Sequence, residues 1–247
     1  MASSEEKILL GKTALVTGAS RGIGRALAAA YAAAGAQVFI CGRGGADVDD
    51  ALGEIRARGG AIDGTAGDIS RVEDVRRIVH GAIERFGAID VLINNASILG
   101  PRESIAEYPI DLWKEVIRIN LTGVFLMTHE VLPAMLARRS GSIINVTSGV
   151  GRVGKARWGA YAVSKAGLEG FTQVLADEVK SAGIRVNAVN PAATRTQMRA
   201  LAYPAEDPAT LPTAEQVVPL FVYLATDAAR EISGQSLNAR DWMGKII

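Results

Sequence analysis

The chain has 247 residues, of which 49% are hydrophobic, and this is enough to bury a core on both faces of one large sheet. Lys and Arg number 27 against 26 Asp and Glu, so no excess charge attracts nucleic acid or an anionic membrane. One cysteine and two histidines exclude an internal disulfide and a Cys/His metal cluster.

The first residues, Met-Ala-Ser-Ser-Glu-Glu-Lys, are polar and lack the apolar segment of a secretion signal. No uninterrupted apolar run approaches the roughly 18 residues of a membrane span. We therefore expect a cytoplasmic protein that has neither a membrane nor a nucleic acid as its partner.

A short apolar strand is predicted over residues 12–17, and an Ala-rich helix follows through residue 34. Between them lies Thr-Gly-Ala-Ser-Arg-Gly-Ile-Gly, residues 17–24, which we call the glycine turn. Glycines let the backbone approach a ligand, and a helix N-terminus offers free N–H groups to a pyrophosphate. A glycine turn without a ligand is the alternative, but its position between strand and helix favours a dinucleotide. The predicted contacts are Gly18, Ser20, Arg21, Gly22, Ile23 and Gly24.

The second predicted strand, residues 37–41, lacks the acidic residue that binds the ribose 2′-hydroxyl in NAD sites. The first acid is Asp47, which we expect to cap the next helix. Arg43 follows the strand instead, and Arg21 lies in the glycine turn. A guanidinium suits a phosphate, so the pair favours NADP over NAD. The alternative is that both are solvated surface charges.

A third strand is predicted over residues 61–66, and Asp68 follows it. Asp68 could accept a hydrogen bond from an adenine edge, or it could be a simple turn carboxylate. Residues 70–73, Ser-Arg-Val-Glu, have the pattern of a capping box for the next helix.

The fourth predicted strand, residues 89–93, ends at Asn94 and Asn95, which could bond neighbouring main chain and a ligand or form a plain Asx turn. A long helix is then predicted over residues 111–138. Asn120 interrupts its apolar pattern and is either satisfied locally or bends the helix and holds a water.

Residues 142–148 read as a strand that ends at Ser148, and the helix beyond it carries Tyr161 and Lys165 one turn apart. A phenol has a pKa of about 10 and is a poor acid at neutral pH. A neighbouring ammonium would lower that pKa, while Ser148 binds a substrate oxygen. The trio therefore suits interconversion of a carbonyl and an alcohol, although Tyr-x-x-x-Lys alone is also an ordinary helical pair.

A strand over residues 184–190 follows, and the segment 192–212 contains three prolines and a possible short helix near 197–203. Its length makes it a candidate lid. A helix over 213–226 and a strand over 234–239 complete the chain. The alternation of strands and helices predicts one α/β domain over residues 1–247, and the polar motifs would meet at the carboxyl ends of its strands.

Together these motifs resemble the short-chain dehydrogenase/reductase family, including the separation of 13 positions from Ser148 to Tyr161. The resemblance covers essentially the whole chain. It implies a Rossmann-type doubly wound parallel sheet of about seven strands with helices on both faces. It also implies a catalytic tetrad, in which Tyr161 is the acid/base, Ser148 orients the carbonyl, Lys165 also holds the nicotinamide ribose and Asn120 anchors a water.

The same resemblance implies further cofactor contacts from Asp68 and Ile69 at the adenine, Asn95 at the adjoining ribose and Thr196 at the carboxamide. Three positions depart from the family pattern: Ser97 replaces a glycine after Asn-Asn-Ala, Ala192 replaces the glycine after Pro191, and Asn-Ala-Arg-Asp-Trp replaces the usual Asp-Gly-Gly ending.

The favoured function is an NADP(H)-dependent oxidoreductase acting on a small carbonyl or secondary alcohol, with a 3-oxoacyl thioester as the alternative substrate. Asp177 and Glu178 would repel an acidic carrier protein, and Arg138 and Arg139 partly offset them. The competing function is an NADP-binding sensor or scaffold without turnover. Four basic residues near the crevice permit an anionic substrate or are solvated loop charges: Arg152, Lys155, Arg157 and Arg195.

Apolar residues beyond one face of the two long helices predict a homo-oligomer, either a dimer or a tetramer. These residues are Leu126, Met127, Phe171, Val174 and Leu175.

Overall fold

The computed structural model describes residues 7–245 and contains one seven-stranded sheet whose strands are all parallel, in the order β3-β2-β1-β4-β5-β6-β7. The strands are β1 (Thr13–Thr17), β2 (Gln37–Gly42), β3 (Ile62–Ala66), β4 (Val91–Asn94), β5 (Gly141–Val146), β6 (Ile184–Asn190) and β7 (Ser236–Asn238). The strand order reverses between β1 and β4, which is where ligands bind in such sheets. The predicted doubly wound fold is confirmed.

The α-helices are α1 (Gly22–Ala33), α2 (Gly45–Ala57), α3 (Val72–Phe86), α4 (Ile110–Ile117), α5 (Gly123–Arg138), α6 (Gly149–Arg152), α7 (Gly159–Val179), α8 (Gln197–Ala202) and α9 (Pro219–Ala225). A π-helical segment, Arg118–Thr122, joins α4 to α5. The helix predicted over 111–138 is therefore continuous but widened at its middle.

The sheet is covered on both faces because alternate strand residues point in opposite directions. Along β1, Ala14 and Val16 belong to the apolar cluster that includes α1, α2 and α9, whereas Leu15 belongs to the cluster formed with α3, α5 and α7. All five residues of β1 are buried, which explains its continuous apolar pattern.

Several local predictions are wrong. Helix α3 has Arg71 as its N-cap without a side-chain bond, and the Ser70 hydroxyl donates to Asp68, so residues 70–73 form no capping box. Asp47 lies inside the first turn of α2, whose N-cap is Gly44. The helix predicted over 213–226 is a 3₁₀ turn at 215–217 followed by α9, because Pro219 cannot continue the hydrogen bonding of a preceding helix.

The stretch Ile110–Arg138 has a window of 18 residues with mean hydropathy 1.3 and is the one helical stretch within residues 7–245 that could span a membrane by length and composition. The sequence expectation concerned uninterrupted apolar runs, and this stretch is interrupted by polar residues such as Asn120 and His129. About 44% of that window is buried inside the protein, and the helices pack against α3 and α7. A core helix has these properties.

Candidate active site

A crevice of about 840 Å³ lies at the carboxyl ends of the strands, between the glycine turn and residues 190–203. It brings together every site residue predicted from the sequence except Asn120, which lies behind its wall. The lining includes Gly18, Ser20, Arg21, Gly22, Ile23, Gly24, Arg43, Asp68, Ile69, Asn95, Ser148, Tyr161, Lys165 and Thr196.

The glycine turn is so closely packed that its tightest point has no room for a side chain. Such a turn fits a nucleotide, because a ligand can approach a backbone that carries no side chain. A Cβ on Gly24 would lie 2.3 Å from the Gly18 carbonyl oxygen and 2.5 Å from the Asn95 Nδ2 atom. Gly18 has φ +64°, a value that glycine adopts without strain. Helix α1 begins at Gly22, within this turn, so its first N–H groups face the crevice where a pyrophosphate would lie.

Asn95 and Thr17 fasten the ends of β4 and β1 together. The Asn95 amide nitrogen donates to the carbonyl oxygens of Thr17 and Gly18, at 2.9 and 3.0 Å. The Thr17 hydroxyl accepts from the main-chain N–H groups of Asn95 and Ala96 and donates to the Ile93 carbonyl. Asn95 therefore stabilises the conformation of the glycine turn. This role is additional to the ligand contact that was predicted from its position in the sequence.

The two arginines proposed for the phosphate differ in their surroundings. Arg21 donates from Nη1 to the Gln197 Oε1 atom at 2.8 Å, and this bond links the glycine turn to α8. Arg43 is exposed on the crevice and forms no hydrogen bond or ion pair with any described residue, so its guanidinium is available to a ligand. Of these two arginines, one is therefore engaged and one is available.

The Asp68 carboxylate is already hydrogen-bonded to protein groups, as in the alternative of a turn carboxylate. Its Oδ1 atom accepts from the Ser70 N–H and hydroxyl, and its Oδ2 atom accepts from Arg118 at 3.3 Å. Partial burial raises the pKa of this carboxyl, but the bonds from Ser70 and Arg118 outweigh it and hold the pKa below its ordinary value. Asp68 still lines the crevice beside Ile69.

Ser148, Tyr161 and Lys165 lie together, because the chain leaves β5 just before Ser148 and returns along α7. Tyr161 is 8% exposed and Lys165 is 2% exposed. The Lys165 ammonium lies 5.7 Å from the centre of the Tyr161 ring and donates to the Val146 carbonyl at 2.7 Å. The phenol, the hydroxyl and the ammonium thus share the crevice, as the sequence predicted.

The pKa values of this group are set mainly by burial. Burial raises the pKa of Tyr161 to about 12, although the neighbouring Ser148 hydroxyl acts in the opposite direction. Burial also lowers the pKa of Lys165 to about 8. The expectation that the pKa of Tyr161 is lowered by Lys165 is therefore wrong for this arrangement: the phenol stays protonated at neutral pH.

Asn120 sits in the π-helical segment and is fully buried. Its Oδ1 atom accepts from the Ile98 N–H at 2.8 Å, and its Nδ2 atom donates to the Ile98 carbonyl and to the Ser164 hydroxyl. Ser164 in turn donates to the Tyr161 carbonyl at 2.7 Å. The Asn120 side chain is thus satisfied locally and supports the first turns of α7.

Thr196 and Ala192 shape the floor of the crevice. Thr196 is the N-cap of α8, and its hydroxyl accepts from the Arg199 N–H at 3.2 Å. Ala192, which stands where the family has glycine, has φ +61°. This left-handed conformation explains the usual glycine, because it costs a residue with a Cβ about 1–2 kcal/mol.

Three of the four basic loop residues brace the fold. Arg152 bonds to Glu169 and to three residues of β7, Arg157 to the 102–103 loop and Arg195 to the carbonyls of residues 208, 209 and 211. Because these three charges have partners within the chain, the alternative in which they are available to an anionic substrate is disfavoured. Lys155 lines the crevice and has no hydrogen-bond or ion-pair partner within residues 7–245.

An aromatic cluster beside Tyr161 was missed from the sequence. The Trp158 ring lies 5.5 Å from the Tyr161 ring and 6.1 Å from the Tyr203 ring, measured between centres. Trp158 precedes Tyr161 by three positions and therefore shares its helix face, which was the available signal. Tyr203 comes from the far end of α8 and had no such signal.

Known proteins resemble this chain over most of its length. A model of the short chain dehydrogenase family matches residues 12–207. The uncharacterized oxidoreductase YciK of Escherichia coli K12 is 35% identical, with 96% of this chain and 94% of that protein covered. The 3-oxoacyl-[acyl-carrier-protein] reductase of Synechocystis sp. PCC 6803 is 38% identical, with 93% and 96% covered.

A solved structure gives the same result. A chain from Shigella flexneri 2a, described as a short chain dehydrogenase complexed with NADP, superposes with a TM-score of 0.91 at 36% identity, covering 96% of this chain and all of that one. With the fold, the glycine turn and the Ser-Tyr-Lys group in one crevice, these matches lead to one conclusion: this chain belongs to the short-chain dehydrogenase family.

Proposed function

We propose that the chain is an NADP(H)-dependent oxidoreductase that interconverts a carbonyl and a secondary alcohol. The observation that carries the proposal is the convergence of Ser148, Tyr161 and Lys165 on the crevice that holds the glycine turn. Bound NADPH supplies the hydride for the carbonyl carbon, and bound NADP⁺ accepts it in the reverse direction. The protein's own residues then have to bind the carbonyl oxygen and move one proton.

Tyr161 is suited to donate that proton. Its phenol remains protonated at neutral pH because burial raises its pKa to about 12. In the direction of carbonyl reduction, Ser148 would hydrogen-bond the substrate oxygen while Tyr161 passes its proton to it. The Lys165 ammonium, 5.7 Å from the ring, would then stabilise the phenolate left behind and hold the nicotinamide ribose.

We propose that Asn120 anchors the water that returns a proton to this group. Its side-chain amide is already bonded to Ile98 and Ser164. The water would therefore bind to the main chain of the π-helical segment. Such π-helical segments are often found at functional sites.

The role of Tyr161 can be tested directly. We expect Tyr161→Phe to abolish NADPH oxidation with a panel of diketones, quinones, aldehydes and 3-oxoacyl thioesters while NADPH still binds. Tyr223→Phe removes a hydroxyl outside the crevice and serves as the matched control. Activity that survives in Tyr161→Phe would refute the assigned role. Tight NADPH binding without turnover by the native chain would favour the sensor or scaffold function.

NADP rather than NAD is proposed because Arg43 lies on the crevice without a partner among the described residues and because a relative of the same fold is complexed with NADP. Arg21 would join it at the 2′-phosphate after releasing Gln197. Gly18, Ser20, Gly22, Ile23 and Gly24 would hold the pyrophosphate, with Asp68 and Ile69 at the adenine, Asn95 at the ribose and Thr196 at the carboxamide.

Substitution of Arg43 by aspartate tests the cofactor. We expect Arg43→Asp to shift the ratio of kcat/KM values from NADPH toward NADH, because a carboxylate repels the phosphate and can bond a ribose hydroxyl. The matched control is Arg230→Asp, at an exposed arginine that does not line the crevice. An unchanged ratio would mean that Arg43 does not contact the phosphate.

A 3-oxoacyl thioester is the alternative substrate within this function, since relatives such as the Synechocystis protein are 3-oxoacyl-[acyl-carrier-protein] reductases. Arg138 pairs with Asp90, and Arg139 donates to the Ser181 carbonyl, so both arginines already have partners within the chain. Comparison of carrier-bound and free 3-oxoacyl thioesters would show whether a carrier protein contributes to binding.

We also propose that the chain is cytoplasmic and forms a homo-oligomer. Met127 and Leu175 belong to the buried core, so those two residues cannot contribute to an interface. Phe125 and Val174 on the same two helices are 48% and 58% exposed and are available. Light scattering after size exclusion should give a dimer or a tetramer, and a monomer would contradict the proposal.

A further inference from the structure

The crevice continues past Tyr161 into a chamber with apolar walls. Val150, Trp158 and Ala202 are each less than one-tenth exposed and form one cluster with Tyr161. Leu99, Met198 and Tyr203 pack against this cluster and also line the crevice. A group attached to the carbonyl carbon would therefore contact aromatic and aliphatic surface.

One wall of this chamber is fixed by an arginine. Arg102 lies over the Trp158 ring at 4.9 Å and over the Tyr203 ring at 4.6 Å, and it also donates to the Ala202 carbonyl. Cation–π contacts on two rings hold both rings in place. The chamber is therefore preformed, and α8 is fastened over it.

The charged side chains that line this end of the crevice are cations: Lys155, which is exposed, and Arg199. The carboxylates that line the crevice, Asp47 and Asp68, lie on the side of the glycine turn and β3. Arg199 forms two bonds of 2.6 Å to Glu206 and is thereby neutralised. A charged group buried between the apolar walls would lose its hydration, and the exposed Lys155 offers an ion pair only outside those walls.

Two exposed apolar side chains line the crevice and are close in sequence to residues of the chamber walls. Val153, after α6, is 69% exposed, and Leu201, in α8, is 68% exposed, and both line the crevice. Large aliphatic side chains that border an apolar chamber gain most if a ligand covers them. A substrate that ends inside the chamber would leave both in water.

We propose that the substrate is a free, uncharged ketone, or the corresponding secondary alcohol, whose apolar chain or ring system fills this chamber and reaches Val153 and Leu201. The inference rests on the proposed function and adds the substrate class. The apolar walls and the apolar side chains of Val153 and Leu201 favour a free apolar molecule over one attached to an acidic carrier.

A series of 2-alkanones from 2-butanone to 2-decanone, with NADPH in excess, tests the proposal. We expect kcat/KM to rise roughly three- to fourfold for each added methylene until the chain leaves the protein surface. Leu201→Ser and Val153→Ser should reduce this rise for the longer ketones. Leu10→Ser removes an equally exposed leucine, 73% exposed and outside the crevice, and should leave the whole series unchanged.

The outcomes separate the two proposals. If short ketones are reduced and kcat/KM is flat or falls with chain length, the substrate class is wrong while the oxidoreductase function stands. A carrier-bound 3-oxoacyl thioester reduced far better than a free ketone of equal length would also overturn the substrate class. If no carbonyl compound is reduced by the native chain, both proposals fail.

Discussion

Lys165 is a buried ammonium, and its cost to stability should depend on pH. It is 2% exposed, and burial lowers its pKa from 10.5 to about 8. Below pH 8 the side chain is charged in both the folded and the unfolded chain, so its full desolvation cost opposes folding. The cost declines as pH rises from 8 to 10.5, because the folded chain releases the proton first.

Replacement of this lysine by methionine therefore has a calculable signature. At 1.36 kcal/mol per pKa unit, the pH-dependent cost is about 3 kcal/mol at pH 7 and falls to about 1 kcal/mol at pH 10. The difference in free energy of unfolding between Lys165→Met and the native chain should change by about 2 kcal/mol between these pH values, in favour of the variant at pH 7. Lys165→Met also loses the hydrogen bond to the Val146 carbonyl, which destabilises the variant at both pH values. This loss is larger at pH 7, because a charged donor binds more strongly.

Urea unfolding followed by circular dichroism, without nucleotide, at pH 7 and pH 10 would measure this difference. Lys155→Met is the matched control because that lysine is exposed. The difference in free energy of unfolding between this variant and the native chain should be the same at pH 7 and pH 10. A stability difference for Lys165→Met that is equal at the two pH values would refute the reasoning, since it would mean that Lys165 keeps the same pKa on folding.

Three further predictions concern the crevice. Gly24→Ala should abolish NADPH binding in a fluorescence titration, because its Cβ would lie 2.3 Å from a carbonyl oxygen, whereas Gly53→Ala, with open space around it, should bind normally. Equal affinities would contradict the nucleotide assignment. Ala192→Gly should raise the stability by up to about 1 kcal/mol in thermal unfolding by relieving its positive φ, and a lower stability would show that no strain is stored there. Thr17→Val should cost about 1 kcal/mol or more, because the part-buried Ala96 N–H loses its acceptor while the Asn95 N–H keeps the Ile93 carbonyl, and a neutral effect would show that water replaces the hydroxyl.

The sequence was sufficient for those features that depend on local pattern. Strand and helix alternation predicted the parallel sheet, and the carboxyl-end rule placed the glycine turn, Ser148 and Tyr161 in one crevice. These predictions succeeded because buried parallel strands have continuous apolar sequences and because residues four apart on a helix share a face.

Features that depend on tertiary contacts were missed or misjudged. Arg152, Arg157 and Arg195 looked like site charges, but each bonds to segments that are remote in sequence, which no local pattern reveals. The pKa of Tyr161 was misjudged for a related reason. A neighbouring cation was visible in the sequence, whereas the burial that raises this pKa was not. Tyr203 joined the chamber only through the fold of the segment after β6.

The π-helical segment at Asn120 also keeps the long helix in phase with the sheet. Val116 and Met135 are both buried although they are 19 positions apart, and a uniform helix at about 100° per residue would point them in directions that differ by roughly a quarter turn. A wide turn accommodates about one extra residue and removes this mismatch. Deletion of a single residue within 118–122 would therefore yield a regular helix of the right phase, and the side chain that now bonds to Ile98 and Ser164 would lose its position.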